Sequence, residues 1–264
     1  MSAVADLAGY DLGSRQISYT ERDAILYALC VGAAPDDLDL VYERDLHVLP
    51  TFALGLGLWA VEAAGGLGAY DRLRSLHAAQ TLTVYGSLPR SGTLDTRARI
   101  AEVWDKGSAA MMNIVVESAE LTATYSIFLP GSGGWGGQRG PSAARRSLDA
   151  PDHNEQIGID PRLPALYRLT GDLHPVHIDP AVAANYGFER PILHGLCTLG
   201  IAARALAAAV GAPAWELREL RARFAAPVLP GSSFDLRAET AGRDVDFEAH
   251  AAESAVLSGG FARY

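Results

Sequence analysis

At 264 residues, 49% hydrophobic and 20% charged, the chain has an ordinary globular composition and ample length to bury a core. Its net charge of −9 argues against a nucleic-acid surface, although local arginines can hold an anionic ligand on an acidic protein. Residues Met1 to Leu12 lack the basic and apolar regions of a signal peptide. The most apolar helix-like run, Leu196 to Val210, contains Arg204 and, at about 1.5 Å per residue, falls short of a bilayer core of roughly 30 Å. No membrane span is expected. The two cysteines, Cys30 and Cys197, read as buried thiols, which fits a reducing, cytoplasmic setting.

In chain order, β-branched and aromatic residues predict strands over 81–85, 93–104 and 109–128, with Asp105-Lys106-Gly107 as a hairpin turn. Six glycines between Gly131 and Gly140 exclude regular structure there. That stretch could cradle phosphate through its N–H groups, but it lacks the Gly-Lys-Ser/Thr ending of a P-loop. It reads as a plain crossover between two halves. Beyond it, the run from Leu196 to Val210 is apolar almost all round and so predicts a helix buried on most faces. Strands are expected again over 220–225, 233–241 and 246–261, around a turn at Gly242-Arg243-Asp244.

The halves echo each other. Tyr19 to Asp23 resembles Tyr167 to Asp172, and Val48 to Gly55 resembles Ile192 to Gly200. Leu88 to Gly92 and Leu229 to Gly231 are matching turns, and Ala101-Glu102 and Ala238-Glu239 fall in the strand after each. Any one echo could be chance; their common order points to one unit written twice. The expected division is a first repeat over 1–130, a linker over 131–150 and a second repeat over 151–264.

The densest chemistry lies between Tyr167 and Pro180. Asp172 and His177 stand five residues apart on a segment that cannot be helical throughout. Pro175 lacks an N–H and pushes His174 out of the α region, so Asp172 to His177 is expected as a stiff, extended loop. Asp179-Pro180 reads as an N-cap followed by proline at the first helical position. A rigid loop that aims a carboxylate and an imidazole into one pocket suits proton transfer. Read as Asp172-x-His174-x-x-His177-x-Asp179, the segment also offers four metal-type ligands. The proline between the histidines and the lack of a second cluster make a metal hydrolase the weaker reading, and no metal is expected.

These residues carry a resemblance. Gly171, Asp172, Pro175, His177, Asp179, Pro180 and Ala183 satisfy the Gly-Asp-x-Asn-Pro-x-His and Asp-Pro fingerprint of MaoC-like, hydratase 2 enoyl-CoA hydratases. Segments 18–23, 48–52, 105–108, 131–137 and 191–198 are similar to the hydratase domain of peroxisomal multifunctional enzyme type 2, so the resemblance spans nearly the whole chain. It implies an α+β double hot-dog fold, two repeats each with a long buried helix wrapped by an antiparallel sheet. It also implies (R)-specific hydration of trans-2-enoyl-CoA to (3R)-3-hydroxyacyl-CoA, in fatty-acid or sterol side-chain β-oxidation. Asp172 and His177 would be the acid–base pair, and the Gly195 N–H, opening the buried helix, the thioester oxyanion donor.

His174 departs from the family, which has Asn there to position water or thioester; an imidazole can still donate one hydrogen bond. His194, Arg190 and Arg139 are candidate substrate contacts, His194 being read first as a residue that fixes its turn. Arg145, Arg146, Arg162 and Arg218 are further candidates for the CoA phosphates. Coenzyme A belongs to the substrate, so no separate cofactor is implied, and a homodimer is expected. In the first half Asp23 has Ala28, not histidine, five residues on, and Pro50-Thr51 replaces the His194-Gly195 step. That half is expected to have lost its own site and to shape an acyl pocket. Two other readings stand beside the hydratase: a 3-hydroxyacyl-thioester dehydratase acting on acyl-carrier protein, and a non-catalytic acyl-CoA-binding module.

Overall fold

The computed structural model describes residues 4–141 and 148–264. Its first half contributes strands β1 (Asp11–Tyr19), β2 (Leu76–Val84), β3 (Gly92–Asp105), β4 (Ala109–Glu117) and β5 (Leu121–Pro130). The second contributes β6 (His153–Gly158), β7 (Glu219–Phe224), β8 (Ser233–Ala241), β9 (Asp244–Ala251) and β10 (Ser254–Arg263). All pair antiparallel in one continuous sheet, ordered β1-β3-β4-β5-β2-β7-β10-β9-β8-β6. Adding five to each label of the first half gives the order of the second, run backwards. The seam is the β2–β7 pair, with Ala79 opposite Arg223 and Thr83 opposite Glu219.

Alternation sets the inner face. Along β5, Leu121, Ala123, Tyr125, Ile127 and Leu129 are buried while their neighbours are half-buried, the period-2 signature of a sheet packed on a core. The helices lie against that face: α1 (Glu21–Cys30), α2 (Leu38–Val41), α3 (Phe52–Leu56) and α4 (Trp59–Gly66), then α5 (Leu163–Tyr167), α6 (Pro180–Asn185) and α7 (Gly195–Ala209). The two five-stranded halves of this sheet, each curled around helices and joined edge to edge, make the double hot dog.

Helix α7 is buried on nearly every face, as its sequence requires. It meets α1 at Gly200, where an added Cβ would lie 2.5 Å from Tyr27 Oη and 2.8 Å from Val31 Cγ1. Gly200→Val is therefore expected to destabilise the fold by about 1–3 kcal/mol, the scale of core overpacking. A lowered urea midpoint at constant slope would show it. An unchanged midpoint would mean that the two halves do not meet through this contact.

Several expectations need correction. The long helix expected in the first repeat is two short ones, α3 and α4, because Leu58 N–H turns to Gly55 O (3.3 Å) while the Tyr125 hydroxyl donates to Leu54 O (2.7 Å). Gly57 permits this, since a Cβ there would sit 2.2 Å from Tyr125 Oη. The strands expected over 109–128 and 246–261 are each two strands around a turn. Edge strands β1 and β6 escaped notice because both are largely exposed and show no clean apolar alternation. The first sequence echo fails: Tyr19 ends a strand, whereas Tyr167 ends a helix. The other three echoes occupy matching places in the two halves.

The glycine-rich stretch does cradle an anion, but the chain's own. The Asp105 carboxylate, 4% exposed, accepts N–H groups from Gly107 (2.8 Å), Gly134 (2.9 Å), Gly136 (2.8 Å) and Gly137 (3.3 Å). Led by the Gly134 and Gly107 bonds, these hold its pKa down at about 2. The stretch is thus pinned on the β3–β4 hairpin. Arg145 and Arg146 lie outside the described residues.

Candidate active site

The loop after α5 begins with a conformation that favours glycine. Gly171 has φ +128°, and its neighbour Thr170 packs its carbonyl against α3, 3.6 Å from where a Gly55 Cβ would sit. Asp172 then accepts the His174 N–H at 3.2 Å. His174 has the extended backbone expected before proline (φ −57°, ψ 126°). The segment is not extended to its end, however: Pro175–His177 forms a single 3₁₀ turn. Proline is tolerated at the first position of such a turn, and His174 caps it, its Nδ1 accepting the Val176 N–H at 3.3 Å. Asp179 caps α6 as anticipated, accepting from Ala181 N (2.8 Å) and Val182 N (3.4 Å).

His177 is locked by its Nδ1–H, which donates to Ile192 O at 2.9 Å. That bond assigns the tautomer and leaves Nε2 with a free lone pair. Burial lowers the pKa of this ring to about 4, so it is neutral at pH 7. His194 stacks on it, centroids 3.7 Å apart and planes 26° apart. Fully buried, His194 donates Nε2–H to the Asp172 backbone carbonyl at 3.1 Å, tying the loop to the start of α7. Burial first, then the neighbouring His177, brings its pKa to about 2. Burial also raises the pKa of Asp172, a shift its bond from the His174 N–H and the nearby His174 oppose.

Ligand-type atoms of Asp172, His177 and His194 all lie within 4.8 Å of one another. Such a trio invites a metal, yet its geometry does not suit one. Imidazoles bind zinc through in-plane lone pairs at about 2.0–2.1 Å, and near-parallel stacked rings aim those pairs side by side, not at one point. A water molecule between Asp172 and His177 Nε2 suits the arrangement better. Beside it Gly195 opens α7, so its N–H is among the first four with no acceptor inside the helix. The Phe224 ring covers this glycine, 3.1 Å from where a Cβ would be.

The other sequence candidates are distributed differently. Both His174 ring nitrogens are engaged, Nδ1 as the cap and Nε2 with the Tyr186 hydroxyl at 3.2 Å. Arg190 and Arg139 are exposed and make no hydrogen bond or ion pair with the cluster. Asp23 forms a capping box with Thr20 at the start of α1, accepting its N–H at 2.8 Å. Sequence reasoning gave no role to Arg168, whose Nε is buried without a partner and whose charge helps to lower the His194 pKa. The only sequence signal for it was its place beside Tyr167, next to the fingerprint.

Because His174 works as a cap, His174→Asn is expected to keep kcat near pH 7 within about threefold, asparagine being a strong capping residue itself. Protonation of His174 would turn Nδ1 into a donor and break the cap. Its pKa is lowered, by burial first and then by His177, so wild type and variant should diverge only below the ordinary histidine range. Parallel pH profiles of kcat/KM check this. A loss above about tenfold at pH 7, roughly 1.4 kcal/mol of barrier, would give the imidazole a role beyond capping.

Comparison with known proteins gives the family. Residues 144–258 match the MaoC like domain, and residues 17–130 match the MFE-2 hydratase 2 N-terminal domain. Mouse peroxisomal multifunctional enzyme type 2 is 37% identical over 94% of this chain, which spans only 36% of that protein. The 3-hydroxyacyl-thioester dehydratase Y of Mycobacterium tuberculosis is 37% identical over 81% of this chain and 80% of its own length. A crystal structure of a MaoC-like dehydratase from Phytophthora capsici superposes with a TM-score of 0.87 at 26% identity, covering 100% of this chain and 98% of that one. The fold is a double hot dog with one fingerprint-bearing repeat. The chain belongs to the MaoC-like, hydratase 2 family.

Proposed function

We propose that the chain adds water to trans-2-enoyl-CoA thioesters, giving (3R)-3-hydroxyacyl-CoA in fatty-acid or sterol side-chain β-oxidation. The observation that carries this is the convergence of Asp172 and a neutral, tautomer-fixed His177 within 4.8 Å, at the mouth of α7. A water held between them gives one hydrogen to His177 Nε2 and the other to the Asp172 carboxylate. Its oxygen attacks C3 as one proton passes to His177 Nε2, and the imidazolium so formed returns a proton to C2 on the same face. Negative charge arising on the thioester oxygen meets the Gly195 N–H and the positive end of the α7 dipole. Overall H and OH add across one double bond, and the pair returns to its starting protonation.

The name of the mycobacterial relative favours one second reading, the reverse dehydration of a carrier-protein thioester. Purified protein assayed with trans-2-enoyl-CoA, and with the same acyl group on acyl-carrier protein, separates the two by kcat/KM. Chiral analysis of the hydrated product is expected to give the 3R isomer. A 3S product, or no turnover of either thioester, would overturn the assignment. The proposal includes a homodimer and division of labour between repeats, 1–130 shaping the acyl pocket and 151–264 carrying the chemistry. It also places the protein in a reducing compartment, the cytoplasm, in keeping with two free buried cysteines. The mouse relative is named for the peroxisome. Among the described residues no helix is long and apolar enough to cross a membrane.

A further inference from the structure

Strand β2 carries a polar pair that the mechanism does not use. Its register slips between His77 and Ala79: His77 faces Ile127 and Ala79 faces Ser126, so Ala78 is an extra residue. The alternation that buries Gln80, Leu82 and Val84 would otherwise turn Ala78 inward and His77 outward. The bulge reverses this and brings His77 to the inner face, a re-aiming that bulges beside active sites commonly achieve. There His77 Nε2 is sealed from solvent and has no hydrogen bond of normal length, although the Ala79 backbone and the Gln80 side chain lie near enough to favour the protonated ring. The next inward side chain, Gln80, is 1% exposed; its Nε2 donates to Thr81 O at 2.9 Å, and its Oε1 is also unpartnered.

The pair lies close to the reaction centre. The His77 ring meets Phe224 edge-on at 4.8 Å and Tyr125 at 5.8 Å. Phe224 in turn lies on Gly195, next to the stacked His194 and His177. His77 is thus one aromatic ring away from where the thioester oxygen would bind, on the inner face at the β2–β7 seam. That is too far to touch the reacting atoms and too deep for the CoA phosphates. An unpaired polar group buried at such a place is costly unless something pairs with it.

We propose that His77 and Gln80 form a polar subsite in the acyl pocket that recognises a hydroxyl group on the acyl chain beyond C3. A hydroxyl can donate its one hydrogen to Gln80 Oε1, which only accepts, while its lone pair accepts from His77 Nε2–H. A keto oxygen can only accept, and so satisfies His77 alone. The preferred substrates are therefore enoyl-CoAs with an oxygenated chain, not plain hydrocarbon ones. This rests on the hydratase reading above.

The test uses trans-2-enoyl-CoAs of one chain length, either plain or with a single hydroxyl or keto group at successive carbons beyond C3. Wild-type turnover of the plain thioester reports on the hydratase reading by itself. At one position the hydroxylated substrate is expected to exceed the plain one in kcat/KM by at least about fivefold, the scale of one or two net hydrogen bonds, mainly through KM. The keto analogue should fall between them. His77→Phe and Gln80→Leu should each bring that ratio close to one, whereas a merely structural defect would depress all substrates alike. Should His77→Phe fail to fold, Gln80→Leu gives the same reading. Equal kcat/KM for plain and hydroxylated substrates at every position would overturn the proposal, as would a preference that survives either substitution.

Discussion

Asp172→Asn and His177→Ala are each expected to lower kcat for a trans-2-enoyl-CoA by at least about 10²-fold, the contribution of a positioned acid–base group. The structure explains why neither loss can be made good nearby. On the proposed mechanism His177 serves as the base, because its Nδ1–H is spent on Ile192 O, which leaves Nε2 as its one acceptor. His194, the neighbouring imidazole, is committed to the Asp172 carbonyl and stacked face to face, so its remaining nitrogen runs beside that of His177 and does not replace it. His174 already uses both ring nitrogens. For Asp172 the amide keeps the size and the backbone turn but removes the negative charge that orients water and balances the imidazolium. The double variant should be little slower than the worse single one, because the pair handles the same water. Circular dichroism of each variant should match wild type. Retention of more than a tenth of the activity by either single variant would remove that residue from the mechanism.

What the sequence made legible was local. Pro175 and the Asp179-Pro180 step each act within a few residues, by a fixed φ and a side-chain cap, so their pattern alone placed the loop. Helix α7 was legible because it is apolar nearly all round. The missing parts depend on distant partners. Nothing near Gly57 announces the break between α3 and α4, whose cause is a tyrosine on β5. The glycine-rich stretch gave no hint that its anion would be Asp105, about one hairpin upstream. The tautomer of His177 depends on a carbonyl fifteen residues away, at Ile192. Similarly, His77 points inward only because β2 carries a bulge, and a bulge is visible in the pairing, not in the order of residues.

The same buried imidazoles should make the fold sensitive to mild acid. His77 and His177 have pKa values lowered to about 4 and His194 to about 2, chiefly by burial, against 6.5 in the unfolded chain. A group whose folded pKa is lowered in this way is neutral in the native state but protonates on unfolding. Stability is therefore unaffected above pH 6.5 and falls as pH drops from there toward 4, where the native rings at last begin to charge. His177 and His194 are stacked, so their protons belong to the pair and not to either ring. Counting His77 and that pair as at least two protons taken up on unfolding gives a slope of about 2.7 kcal/mol per pH unit near pH 5. Asp172 opposes this, since its raised pKa lets the native state take up a proton as well. Asp105 plays no part in this window: its lowered pKa of about 2 stabilises the fold above the ordinary carboxylate range and is lost only below about pH 4. Urea unfolding between pH 7 and pH 4.5 should show the midpoint falling steeply at nearly constant slope. His77→Phe, which removes one of these protons, should flatten the dependence by about 1.4 kcal/mol per pH unit. A midpoint that does not change between pH 6.5 and pH 5 would mean that these rings are not held neutral, and the base assigned to His177 would lose its physical basis.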